Sequence, residues 1–181
     1  MSGARLFGAL LAGMAFLGLG RRDTAAAPSP AAGGTSWRNS DDVPAADTYV
    51  DDVELLARTI WGEARGEGPE GMAAVAAVIM NRANDPRRRW WGNTIREVIE
   101  RPWQFTVWAF DDANRRATLA VTRNDPVYRT ALLIALDAVN GRLADPTGGA
   151  THYAVEGTAA EWIKTATQLA EIGRHVFYKA S

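Results

Sequence analysis

The stretch Ile60-Trp61-Gly62-Glu63-Ala64-Arg65-Gly66-Glu67-Gly68 holds the ingredients of acid catalysis. Partial burial of a carboxyl against an indole disfavours its charged form, and glycines let a substrate approach closely. The negative partial charge at a helix C-terminus pushes the same way. A Glu kept protonated near neutral pH is what a glycosidic oxygen requires of a general acid. The spacing also permits a plainer reading, in which Glu63 pairs with Arg58 or Arg65 on a helix surface. Metal chemistry has little to work with. The chain contains no Cys and only two His, His152 and His175. That excludes a zinc ribbon, an iron–sulfur cluster, a thiol nucleophile and a three-histidine site.

The elements that must position Glu63 are legible as helices. Asp51 or Asp52 can cap a helix with Val53, Leu56, Ala57 and Ile60 on one face. Gly66, Gly68 and Pro69 should stop it around Arg65, which puts Glu63 in its last turn. Pro69 suits the first position of a second helix, with Glu70 in the favourable first turn. Met72, Val75, Ala76, Ile79 and Met80 make that helix apolar and central. Thr94 with Glu97 reads as a capping box for a short helix bearing Ile95, Val98 and Ile99. Asp125-Pro126 opens another through Leu132, Leu133, Leu136 and Val139, stopped at Gly141. Ala150 to Val155 and Ile172 to Tyr178 read as two paired strands, with Trp162 and Leu169 between them. The expected class is α+β, mainly helical, with a small C-terminal antiparallel β-sheet.

The 181 residues suit one domain plus an appendage. A net charge of −1 argues against a general nucleic-acid binder. Arg5 precedes fifteen uncharged residues, Leu6 to Gly20, and Arg21-Arg22 closes the run. A spanning helix needs about 20 apolar residues, so this run suits a signal peptide better than a permanent anchor. Four glycines weaken it further, which leaves a weak membrane tether, or a buried helix of the folded body, as alternatives. Residues 24–48 are rich in Ala, Pro, Ser, Gly and Asp, with Trp37 as the one aromatic, and read as a flexible linker. The expected division is 1–23 signal peptide or tether, 24–48 linker and 49–181 catalytic domain.

Three blocks carry a family resemblance. They are Ala57 to Glu67 continuing through Gly71, Ala74 to Val78 and Asn81-Arg82; Pro102 to Thr106; and Gly149 to Tyr153 with Trp162 and Ile172 to Tyr178. In that order and spacing they resemble the spore-cortex-lytic type of cell-wall hydrolase. The resemblance implies a lysozyme-like, lytic transglycosylase-type domain acting on peptidoglycan between N-acetylmuramic acid and N-acetylglucosamine. It implies Glu63 as the catalytic acid. Two departures touch the sugar cleft: Thr106 stands where the family has Ser, and Tyr153 is followed by Ala154 instead of a second aromatic or His. The separate wall-binding repeat of spore-related members is not apparent in the linker, so a general murein hydrolase, bacterial or phage endolysin, is the more natural expectation.

Around Glu63 the substrate-binding candidates are Trp61, Glu67, Gln104, Thr106, His152 and Tyr153. Glu67 has a structural alternative, and an inverting hydrolase would need a second carboxylate about 6.5–9.5 Å from Glu63. Gln104 could bind saccharide or hold Glu63. His152 and Tyr153 could border the cleft from a strand, whereas His175, Phe105 and Trp108 read as core. Trp90-Trp91 after three arginines could form a cationic aromatic wall, or a solvated loop with one tryptophan tucked in. The leading expectation is a monomeric glycosidase needing no cofactor, whose partner is peptidoglycan. It should be exported to the periplasm or cell envelope, with transient membrane association through its N-terminus. The competing expectations are an N-acetylmuramoyl-L-alanine amidase and a non-catalytic wall-binding or tail-associated protein.

Overall fold

A computed structural model describes residues 45–86, 89–110 and 112–180, so the apolar N-terminal run and residues 24–44 of the expected linker lie outside the described residues. Helix α1 spans Ala45–Ala64. It begins upstream of Asp51 and Asp52, so neither caps it, and the boundary expected at 49 falls inside a helix. Ala45 and Ala46 have the highest helix propensity, and nothing breaks the chain before Gly66. Leu56, Ala57, Ile60, Trp61 and Ala64 form its buried stripe. Gly68, at φ 73°, turns the chain into α2, Gly68–Ala83, with Pro69 in the first turn. Nearly every residue of α2 from Gly71 to Ile79 is buried, as its apolar run predicts.

Helix α3, Ile95–Glu100, is capped by the Thr94 hydroxyl, which accepts from the Glu97 N–H. Glu97 returns a carboxylate to the Asn93 N–H, one residue before the usual partner. Helix α4, Arg115–Ala120, has no apolar period and is not apparent from sequence. Arg58 of α1 supplies part of what holds it: its Nη1 donates to the carbonyls of Thr118 and Val121 at 2.8 and 3.1 Å. Those are helix-end carbonyls that would otherwise lack donors. Helix α5, Pro126–Val139, opens on the Asp125 cap as expected. Its fully buried residues are Tyr128, Ala131, Ala135 and Ala138 rather than the leucines, and Leu133 is 64% exposed. Alanines let α5 lie close against α1, the helix that carries Glu63.

The sheet has three strands where two are expected. β1 (His152–Val155) and β3 (His175–Lys179) pair antiparallel, with Tyr153 opposite Phe177. β2, Thr167–Ile172, adds to the other side of β3, giving the order β1-β3-β2. Its Gln168, Leu169 and Glu171 are exposed, so this edge strand lacks the apolar alternation that marks its neighbours. Among the described residues no helix is long and apolar enough to cross a membrane.

Candidate active site

Glu63 lies in the last turn of α1, and two other elements converge on its carboxylate. The Val107 N–H donates to Oε1 at 3.1 Å from a 3₁₀ turn, Thr106–Trp108. The Tyr153 hydroxyl donates to Oε2 at 3.0 Å from β1. The Thr106 hydroxyl lies 3.5 Å from Oε1, at the limit of a hydrogen bond. Gly62 makes this convergence possible. A Cβ there would stand 2.4 Å from Val107 Cγ2 and 2.8 Å from the Thr118 hydroxyl, so the glycine admits the protein's own turn.

Burial raises the pKa of Glu63 above the ordinary carboxylate range, and nearby Asp112 adds to the rise. The hydrogen bonds from Val107, Tyr153 and Thr106 oppose it without cancelling it. The residue keeps some exposed surface while its carboxylate is enclosed, the condition of an acid that must meet a substrate. The surface-pair reading finds no support. Arg58 is engaged with α4, and Arg65 donates to the Gly62 carbonyl and Asn114 Oδ1.

Tyr153 is 2% exposed, and burial with the neighbouring Glu63 raises its pKa, so it remains a donor. Behind it lies Arg82, 1% exposed, whose Nε donates to the Thr151 carbonyl and Nη1 to Gln104 Oε1. Its guanidinium lies 5.6 and 5.5 Å from the ring centres of Trp91 and Phe105. Burial lowers its pKa to about 10, while Tyr153 and Glu63 raise it, so the cation persists at neutral pH. Sequence inspection passes over Arg82 as a site residue. The signal exists, because position 82 falls on the same helical stripe as Val75 and Ile79.

The other expected residues divide. Gln104 orients Arg82 rather than Glu63. Trp61 packs in the core with the Arg65 guanidinium 4.6 Å from its ring centre. Glu67 is turned away from this group. It accepts from the Arg174 N–H, Nε and Nη2 at 2.9, 2.8 and 2.5 Å. Burial would raise the pKa of Glu67, but these bonds and the Arg174 charge hold it below the usual range. His152 is buried, its ring 5.6 Å from Trp91 and 5.2 Å from Trp162, and its Nδ1 lies 3.0 Å from the Thr151 hydroxyl. It forms part of an aromatic stack and not a cleft wall. Trp91 is buried and Trp90 half exposed, which matches the plainer expectation for that pair. His175, Phe105 and Val107 are core, and Trp108 is partly buried, its indole N–H donating to Thr59.

A cleft of about 720 Å³ opens beside Thr106, lined also by Trp103, Phe105, Trp108, Phe110 and Asp112. Thr106 is shared between the cleft wall and the group around Glu63. Among the described residues no group of three or more His, Cys, Asp or Glu side chains is placed to hold a metal ion.

A family model described as cell wall hydrolase matches residues 66–178. The spore cortex-lytic enzyme of Bacillus cereus is 40% identical over 129 residues, covering 71% of this chain and 44% of that protein. The one from Halalkalibacterium halodurans is 39% identical over 127 residues, covering 70% and 34%. The chain thus spans less than half the length of these curated relatives. The crystal structure of the catalytic domain of Bacillus cereus SleB superposes with a TM-score of 0.57 at 39% identity, covering 72% of this chain and 91% of that one. The catalytic domain of the germination-specific lytic transglycosylase SleB from Bacillus anthracis gives 0.56 at 38%, covering 71% and 94%. The family match takes in α2, which carries Arg82, and the sheet that carries Tyr153, and on these comparisons this chain belongs to the cell wall hydrolase family.

Proposed function

We propose that this domain cleaves the glycan strand of peptidoglycan between N-acetylmuramic acid and N-acetylglucosamine, with Glu63 as acid and then base. The observation that carries the reading is a buried carboxyl of raised pKa held by donors from two other elements, one of which, Thr106, also lines a cleft. Protonated Glu63 gives its proton to the bridging oxygen as the C1–O bond breaks, and the bonding pair leaves with the N-acetylglucosamine. Positive charge develops on the muramic sugar, and the newly ionised Glu63 faces it. The sugar's C6 hydroxyl attacks C1 and returns its proton to Glu63, so the carboxyl is regenerated and no water is consumed. Val107, Tyr153 and Thr106 stabilise the carboxylate during the interval in which it is charged. The lytic transglycosylase name of one structural relative supports this course.

Asp112 gives a second reading its footing. It is the other acid close enough to influence Glu63, and it lines the same cleft. A water activated by Asp112 would make the domain a muramidase with reducing products. Mass spectrometry of muropeptides separates the two: anhydromuramic ends support transglycosylation, reducing ends lost in Asp112→Asn support hydrolysis, and free stem peptides would mean an amidase. Glu63→Gln should lower wall lysis by about 10²–10⁴-fold with the fold intact. Residual activity above about a tenth of wild type would place the acid elsewhere. The apolar N-terminal run supports export to the envelope as part of the same proposal.

A further inference from the structure

The two most exposed large apolar side chains among the described residues, Phe110 at 94% and Trp103 at 80%, line the same cleft. Trp103 is also the one non-glycine described residue with positive φ, at 68°. A bulky side chain in the left-handed region strains the backbone, and glycine would relieve both the strain and the exposure. Neither the core nor a turn requirement explains an indole there. Strain of this kind persists where a side chain is held for a ligand.

We propose that Trp103 and Phe110 form an aromatic platform that binds N-acetylated hexosamine rings of the glycan strand beside the bond broken at Glu63. This rests on the glycosidase reading given above. A pyranose ring has an apolar C–H face that packs on an aromatic ring, while its hydroxyl and acetamido groups radiate from the edge toward polar partners. The cleft supplies both parts. Trp103, Phe105, Trp108 and Phe110 give its walls their aromatic part, and Thr106, Asp112 and Asn114 bring polar atoms to them. Its volume, about 720 Å³, lies within the about 300–1,000 Å³ of small-ligand sites and accommodates sugar rings, not a folded partner. Thr106 in the cleft wall lies 3.5 Å from Glu63 Oε1, which sets a strand bound there beside the acid.

The test uses the full-length chain carrying Glu63→Gln, so that binding is read without cleavage, and glycan oligomers stripped of stem peptides. Trp103→Gly and Phe110→Ala should each weaken binding by about tenfold, and Trp103→Phe and Phe110→Trp by less than about threefold. Thermal midpoints should not fall in Trp103→Gly, since the backbone strain is removed. Equal affinity of parent, Trp103→Gly and Phe110→Ala would overturn the platform. So would a loss seen only with strands that carry stem peptides, which would mean a peptide site. A loss of self-association with glycan binding unchanged would identify a contact between copies and overturn it equally. Lysis by Glu63→Gln at more than about a tenth of the wild-type rate would instead sink the reading of Glu63 as the acid, whatever these ring variants do.

Discussion

Tyr153 joins the acid to the cation behind it, and its influence on Glu63 has a definite sign. Its hydrogen bond favours the carboxylate form and lowers the pKa that burial has raised. Tyr153→Phe should therefore raise the Glu63 pKa further. The protonated acid then survives to higher pH, and the alkaline limb of kcat/KM moves upward, since that limb reports the free enzyme's acid. A limb that stays in place or moves down would remove Tyr153 from the site. Stability should fall by about 1 kcal/mol for the lost hydrogen bond. At this scale the sequence reveals Glu63 because its motif is local, with helix end, indole and glycines within a few residues. It conceals Arg82, which looks like an ordinary charge near a helix C-terminus until its three-sided burial is seen. It also does not reveal the partners of Gln104 and His152, which come from distant segments.

Helix starts are legible for a related reason. Pro69, Thr94 and Asp125-Pro126 act within one turn of themselves, and each marks a helix in the expected place. Strand β2 and helix α4 are not, because both are held by neighbours rather than by an apolar period of their own. The clearest long-range tie joins the α1–α2 junction to the β2–β3 turn, where Glu67 grips Arg174 across 107 positions. The turn needs Gly173 at φ 60°, and a Cβ there would stand 2.4 Å from Glu67 Oε2. Glu67→Gln should cost about 1–2 kcal/mol at neutral pH, a figure kept low because the Arg174 side chain is 63% exposed. The sign with pH follows from the depressed pKa. The contribution is present above the ordinary Glu value and vanishes as pH falls through the folded one. Denaturant midpoints of the two proteins should therefore converge in acid. A gap that widens in acid would mean the pair is not what holds the turn.

At the scale of the molecule, every buried hydrophobic residue among the described ones lies between Leu56 and Tyr178. A fragment from Ala45 to the end keeps α1 whole and contains that entire core. It should unfold at the same midpoint as the full chain and lyse isolated walls at the same rate. Export is the role proposed for the fifteen uncharged residues from Leu6 to Gly20, and equal midpoints would separate that role from folding. Made in a bacterium, the full chain should reach the envelope, and a chain without residues 1–22 should stay in the cytoplasm and leave the cell intact. Two measurements therefore bear on different claims. Lysis from within by the shortened chain, as fast as by the full one, would show that the segment is not an export signal. Loss of activity on isolated walls after its removal would show instead that it belongs to the folded body, and that the core just described is incomplete.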